Sequence, residues 1–262
     1  MNIAFAYGLN LVDSGSHGGW SGPLAGCCND AGALTAIAVQ RGAERVVPRL
    51  NSYAGVFSAV GAVIPPYRLV LDATAANFRA DHEEAFKIAK PGDLFTFSFS
   101  GHGARAKYLM DTVESFVFAE RLLSDNEFYN LMLRWPEGVR VHYVFDCCHA
   151  AGLLRNAAFG RVRTAGELAV DSIRPVAREK GTPKANIALF TAAQADQYAL
   201  DGAHNGAFTA ALLYALEKNP KASLPEVFEI VKRQMRVDFL NQTPGLHFYG
   251  DPSVWHSRPA WT

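Results

Sequence analysis

Apolar and polar positions along the chain fall into two regimes: short apolar runs closed by turn residues, and longer stretches with apolar residues at helical spacing. Asn2–Leu9 is a short apolar run and predicts a buried strand. A glycine-rich loop, Ser14–Pro23, follows it. Asn29 and Asp30 are placed to cap a helix running to about Arg41, with Leu34, Ile37 and Ala38 on its apolar face. Tyr67–Asp72 predicts a second strand, and Thr74 opens a helix to about Ala89. Pro91-Gly92-Asp93 then turns the chain into a third strand, Leu94–Ser100.

Further along, Ser124–Leu133 reads as a helix and Pro136-Glu137-Gly138 as a turn into a fourth strand, Val139–Phe145. From about Leu154 to Ala185 the pattern is irregular and rich in Arg, Lys, Gly and Pro, which predicts a long connection. Asn186–Thr191 is a fifth strand and Ala207–Glu217 a helix. Another helix runs from Leu224 to about Arg236, where Ser223 and Glu226 form a capping box and Pro225 suits the first turn. Leu246–Tyr249 is a last edge strand. Strands alternating with helices predict an α/β fold, a mostly parallel central sheet with helices on both faces. All of 1–262 is expected to be one domain, with residues 1–153 and 186–262 joined by the basic connection 154–185.

Composition narrows the function. The chain is 49% apolar and 19% charged, enough apolar material for a sizeable core. Its 25 basic and 25 acidic side chains cancel, so nothing points to a nucleic-acid partner. No apolar run approaches the ~20 residues of a membrane span, and Met1–Gly8 lacks the basic start of a secretion signal. The expectation is a cytoplasmic protein with no membrane contact. The four cysteines form two adjacent pairs, Cys27-Cys28 and Cys147-Cys148, unlike the spaced cysteines of small secreted scaffolds, so reduced thiols are expected.

In open parallel sheets, function gathers beyond the carboxyl ends of the strands. The third strand here ends Ser100-Gly101-His102-Gly103 and the fourth ends Asp146-Cys147-Cys148-His149. If they are neighbours, an imidazole and a thiol meet in one crevice. A thiol becomes a strong nucleophile when a base takes its proton, which makes Cys148 the candidate nucleophile and His102 its base. The amides of Gly103 and Cys148 are candidate oxyanion donors. Residues two apart on a strand share a face, so Asp146 and Cys148 point one way, as do Ser100 and His102, while Cys147 points oppositely into packing. Taken singly, Cys148 reads better as a buried core thiol and His102 as a structural loop histidine; both at the ends of two adjacent apolar strands favour function. A zinc site from Cys27, Cys28, Cys148 and His102 is disfavoured, because adjacent cysteines splay apart; no metal is expected.

These two strand ends resemble the His and Cys motifs of metacaspases, including bacterial orthocaspases. Gly26-Cys27-Cys28-Asn29-Asp30-Ala31 is similar to the motif those proteins carry after their first strand. Thr191–Gln197 and Gly206-Ala207-Phe208-Thr209 resemble the start of their small-subunit region, and Asn241-Gln242-Thr243-Pro244 resembles their closing motif. The resemblance implies a caspase-like fold, in which residues 1–153 are large-subunit-like and residues 186–262 small-subunit-like. It implies a cysteine endopeptidase cutting protein or peptide substrates after Arg or Lys. It also implies an acidic pocket at Cys27, Asp30, Ser100 and Asp146, and a monomer. The Arg and Lys residues of the basic connection match that specificity, so self-cleavage there is expected. Two carboxylates suit a guanidinium through charge-assisted hydrogen bonds. Asp30 can equally cap its helix, and Ser100 and Asp146 can be strand-end hydrogen bonders. Two departures stand out: Ala104–Met110 replaces the acidic loop usual after the catalytic His, and Ala150 stands where Ser is common. No aspartate cluster offers calcium the several oxygens it needs, so calcium activation is doubtful and no cofactor is expected. The alternatives are a catalytically silent caspase-like interaction module and a caspase-like peptidase with a different specificity.

Overall fold

The computed structural model describes residues 1–51, 72–108, 111–147, 161–162, 176–194, 197–238 and 241–262. Its centre is a sheet built from β1 (Asn2–Gly8), β2 (Arg45–Leu50), β3 (Leu94–Ser100), β7 (Arg140–Asp146), β9 (Asn186–Thr191) and β11 (Gly245–Tyr249), in the spatial order β11-β9-β7-β3-β1-β2. All neighbours run parallel except β11, which pairs antiparallel with β9 at one edge. The mostly parallel α/β sheet expected from the pattern is present.

Strand alternation sorts the side chains into two cores. Phe5, Tyr7, Phe95, Phe97, Phe99, Tyr143 and Phe145 face one way, onto α2 (Ala75–Ile88) and α3 (Asp125–Leu133). Ala4, Val46, Val144, Ala188 and Phe190 face the other, onto α1 (Cys27–Gln40), α4 (Ala207–Lys218) and α5 (Leu224–Asp238). The central strands β3 and β7 are buried along their whole length, as strands covered on both faces must be.

Several elements differ from the sequence expectation. β2 does not stand out in the pattern because Arg45, Pro48 and Arg49 interrupt its apolar residues; proline is tolerated there because β2 is an edge strand. The expected strand Tyr67–Asp72 lies outside the described residues but for Asp72. After β3 the chain forms a small antiparallel sheet of β4 (Gly103–Tyr108), β5 (Asp111–Val117) and β6 (Leu122–Ser124) that the pattern does not reveal. Two short strands, β8 (Arg161–Val162) and β10 (Leu200–Asp201), pair with each other. Helix α1 starts at Cys27 with Gly26 as its N-cap, two residues before the expected start, so Asp30 is not its cap. Thr74 caps α2, and Ser124 with Glu127 forms a full capping box on α3.

Candidate active site

Register brings the strand ends level. Gly8 pairs with Ser100 across β1 and β3, and Ser100 pairs with Asp146 across β3 and β7. The two strands that end in the histidine and cysteine motifs are therefore adjacent, and they finish at the same height. Gly8 also admits the start of α1: a side chain there would sit 2.6 Å from the Cys27 carbonyl. The amide of Cys28 donates to Asn10 Oδ1 (3.1 Å), and those of Ala25 and Gly26 donate to the Asp201 carboxylate (2.8 and 3.1 Å). Asn10 thus ties α1 to the end of β1, and Asp201, a negative group at the positive end of the helix dipole, ties it to β10.

The four positions expected to form an acidic pocket lie around these strand ends. Cys27 opens α1 and Asp30 lies one turn on; both are buried. Ser100 Oγ donates to Asp30 Oδ2 (2.6 Å). The other oxygen of Asp30 accepts from Asn205 Nδ2 (2.8 Å) and from the Gly206 amide (3.0 Å). Asp146 Oδ2 accepts from the Thr209 amide (3.1 Å) and hydroxyl (2.7 Å). Gly206 is the N-cap of α4, so both carboxylates meet the first turn of one helix, where anions are favoured. Asp30 is thus neither a cap nor solvent-facing; it ties α1, β3 and the start of α4 together. Sequence reasoning does not find Asn205 and Thr209 as partners of these acids. Thr209 closes the Gly206–Thr209 motif, but only the fold shows what its hydroxyl touches.

His102 follows a bend at Gly101, where β3 and its alternation have ended. Its carbonyl accepts from the Val117 amide (3.0 Å), which binds this segment to β5. The ring is buried, with Nε2 2.9 Å from the Gly22 carbonyl and the Trp20 ring 4.8 Å away, tilted by 60°. A carbonyl only accepts, so Nε2 carries the proton of the neutral ring and Nδ1 carries the basic lone pair. Gly103 opens β4 opposite Phe116. Cys147 is buried in the same core as Phe145, on the face opposite Asp146. Cys148 lies outside the described residues. Among the described residues no group of three or more His, Cys, Asp or Glu side chains is placed to hold a metal ion, and no helix is long and apolar enough to cross a membrane.

Residues 10–249 match the family described as "Caspase domain". The chain belongs to the caspase-domain family. It is 28% identical over 172 residues to Metacaspase-2 of Trypanosoma brucei brucei, covering 58% of this chain and 43% of that protein. It is also 33% identical over 75 residues to Inactive metacaspase-4 of the same organism, over 25% of this chain and 21% of that protein. The chain thus spans less than half the length of these curated relatives. Among solved structures it resembles protein GSU0716 from Geobacter sulfurreducens, at 28% identity and a TM-score of 0.78, covering 98% of this chain and 97% of that one. Caspase-1 from Spodoptera frugiperda shares the fold at 12% identity, with a TM-score of 0.58 over 94% and 87% of the two chains. This caspase-domain protein therefore has a caspase-like fold along nearly its whole length.

Proposed function

We propose that the protein is a cysteine endopeptidase in which Cys148 attacks the peptide carbonyl and His102 acts as base and then acid. The observation that carries this reading is the level, adjacent ending of β3 and β7, which bear the His and Cys motifs. The Gly22 carbonyl on Nε2 supports it further, because that bond makes Nδ1 of His102 the proton acceptor. In the reaction the thiol proton passes to His102 and the thiolate sulfur bonds to the carbonyl carbon. The oxyanion is stabilised by backbone amides, Gly103 and Cys148 being the candidates. Collapse breaks the C–N bond, with His102 returning the proton to the leaving amine. Water then hydrolyses the thioester, again through His102, and regenerates the thiol.

Specificity for Arg or Lys before the cut is supported by the two carboxylates, Asp30 and Asp146, gathered at one helix start beside the strand ends. Cleavage is proposed to proceed without calcium, on a monomer. Fluorogenic peptides varied at the residue before the cut, with and without calcium, test the reading. Arg and Lys peptides should be hydrolysed and Asp peptides should not. Cys148→Ala and His102→Ala should be inactive and folded, and Cys147→Ala should keep much of the activity. Activity in Cys148→Ala would overturn the assignment. The match to an inactive metacaspase favours one second reading, a silent interaction module, which predicts no hydrolysis by the parent protein.

A further inference from the structure

The glycine-rich loop between β1 and α1 supplies two groups that touch the His102 ring, Gly22 and Trp20. The loop is itself tied down. The Val12 amide donates to Ser21 O (2.9 Å), the Asp13 amide to Ala119 O (2.9 Å) and the Gly19 amide to Ser14 O (2.8 Å). His17 Nε2 lies 2.9 Å from the Phe118 carbonyl, and its ring meets Trp20 edge-on at 6.5 Å. Trp20 therefore stands between two imidazoles, one fixed to the β5–β6 turn and the other at the candidate active site. Gly22 completes the enclosure. Its φ of +51° lies in the left-handed region that favours glycine, and a Cβ there would fall 2.5 Å from the Trp20 ring and 2.9 Å from His102 Nε2.

We infer that Trp20 is a positioning residue for His102, a planar wall that sets the angle at which the imidazole meets the Gly22 carbonyl and so the direction in which Nδ1 points. The inference rests on the proposed Cys–His chemistry. One hydrogen bond to a carbonyl selects the tautomer, but it does not by itself set the plane of the ring. A half-buried indole 4.8 Å away, backed by His17, supplies that constraint. The indole is also suited to the imidazolium formed during turnover, because an aromatic ring attracts a cation near its face.

The test compares Trp20→Ala, Trp20→Phe and His102→Ala with the parent enzyme. Its readouts are kcat and KM on an Arg peptide, thermal stability, and the pH profile of Cys148 alkylation by iodoacetamide, which needs no substrate. Trp20→Ala should lose about 10- to 100-fold in kcat with little change in KM, the scale expected of a misplaced catalytic group. Its alkylation profile should move toward that of an isolated thiol, about 8.5. Trp20→Phe, which keeps a planar ring, should recover most of both. If Trp20→Ala does not fold, Trp20→Leu carries the same comparison, since it keeps apolar bulk without the plane. The inference is overturned if the folded Trp20→Ala or Trp20→Leu protein keeps the parent kcat and alkylation profile. It is also overturned if Phe fails as badly as Ala, in step with lost stability. His102→Ala separates the two levels: if it is inactive while Trp20→Ala is normal, only the role of Trp20 fails. Full activity in His102→Ala removes the dyad and this inference together.

Discussion

Replacing Asp30 by asparagine is the substitution that best separates specificity from folding. Its carboxylate is fully buried and accepts from the Ser100 hydroxyl, the Asn205 amide and the Gly206 N–H. Asp30→Ala removes the acceptor of all three donors at once, at on the order of 1–3 kcal/mol for each buried group. A loss of activity in that variant is therefore uninformative. Asp30→Asn can keep these three contacts, with its carbonyl oxygen facing Asn205 and Gly206 and its NH2 donating to Ser100 Oγ, since a hydroxyl both donates and accepts. What it loses is the negative charge that an incoming guanidinium or ammonium would meet. A hydrogen bond to a charged group is worth about 1.5–3 kcal/mol, which converts to roughly 10- to 150-fold in kcat/KM. The expected result is a folded Asp30→Asn protein whose hydrolysis of Arg and Lys peptides falls by that factor, while iodoacetamide still labels it at the parent rate. Asp30→Ala should melt well below both. An Asp30→Asn enzyme with undiminished Arg hydrolysis would show that Asp30 is only a structural tie between α1, β3 and α4.

Two further outcomes follow from the wider structure. Burial pushes His82 and His142 down to about 3 from the ordinary 6.5, so each is neutral in the fold and takes up a proton more readily when unfolded. Stability is then complete above pH 6.5 and falls as the pH drops toward 3, by about 2 kcal/mol per histidine at pH 5; urea midpoints at pH 7 and 5 check this, and equal midpoints would refute it. The end of the basic connection is strapped to α3: Asn126 Nδ2 donates to Val176 O, Asn130 Nδ2 to Ala177 O and Tyr129 to Gly181 O, while Arg178 lies 3.6 Å over the Tyr129 ring. In limited trypsin digestion of Cys148→Ala, cuts after Arg178 and Lys180 should lag behind those earlier in the connection, as mass spectrometry would show; equal rates would mean the strap gives no protection.

The sheet is legible in the sequence wherever its strands are buried on both faces, because such strands are dominated by apolar residues and end at turn signals. Leu94–Ser100 and Asn186–Thr191 agree with β3 and β9 to the residue, and Val139–Phe145 is offset from β7 by one. Legibility fails at edges and small sheets. β2 carries Arg45 and Arg49 because solvent and ion pairs are at hand: the Arg49 guanidinium binds Asp81 at 2.6 Å and Asp72 at 2.7 Å. Segment 103–124 forms a meander whose polar residues, Arg105, Lys107 and Glu114 among them, mask its strands. Two helix starts show how far a local signal carries. Ser124 and Glu127 form a full capping box, and at Ser223 the Glu226 carboxylate accepts from the backbone N–H and the hydroxyl; both signals are written within four residues, but only the second stands out, because Pro225 marks its first turn.

The site divides along the same line. The proposed reactive residues stand out because chemistry and strand ends coincide in short motifs. The partners that hold them cannot, because they come from far along the chain. Asp30 meets Ser100 70 residues away and Gly206 176 residues away, and Asp146 meets Thr209 63 residues away. No local pattern encodes such pairings; they exist only once β1, β3 and β7 align in parallel and α4 packs across their ends. This also explains why two acids serve in one place. A buried carboxylate is costly unless hydrogen-bonded, and the first turn of α4 offers N–H donors with no helical partner of their own. Helix and carboxylates each satisfy what the other leaves open, so the acidic character beside the strand ends is maintained by the packing of the fold itself.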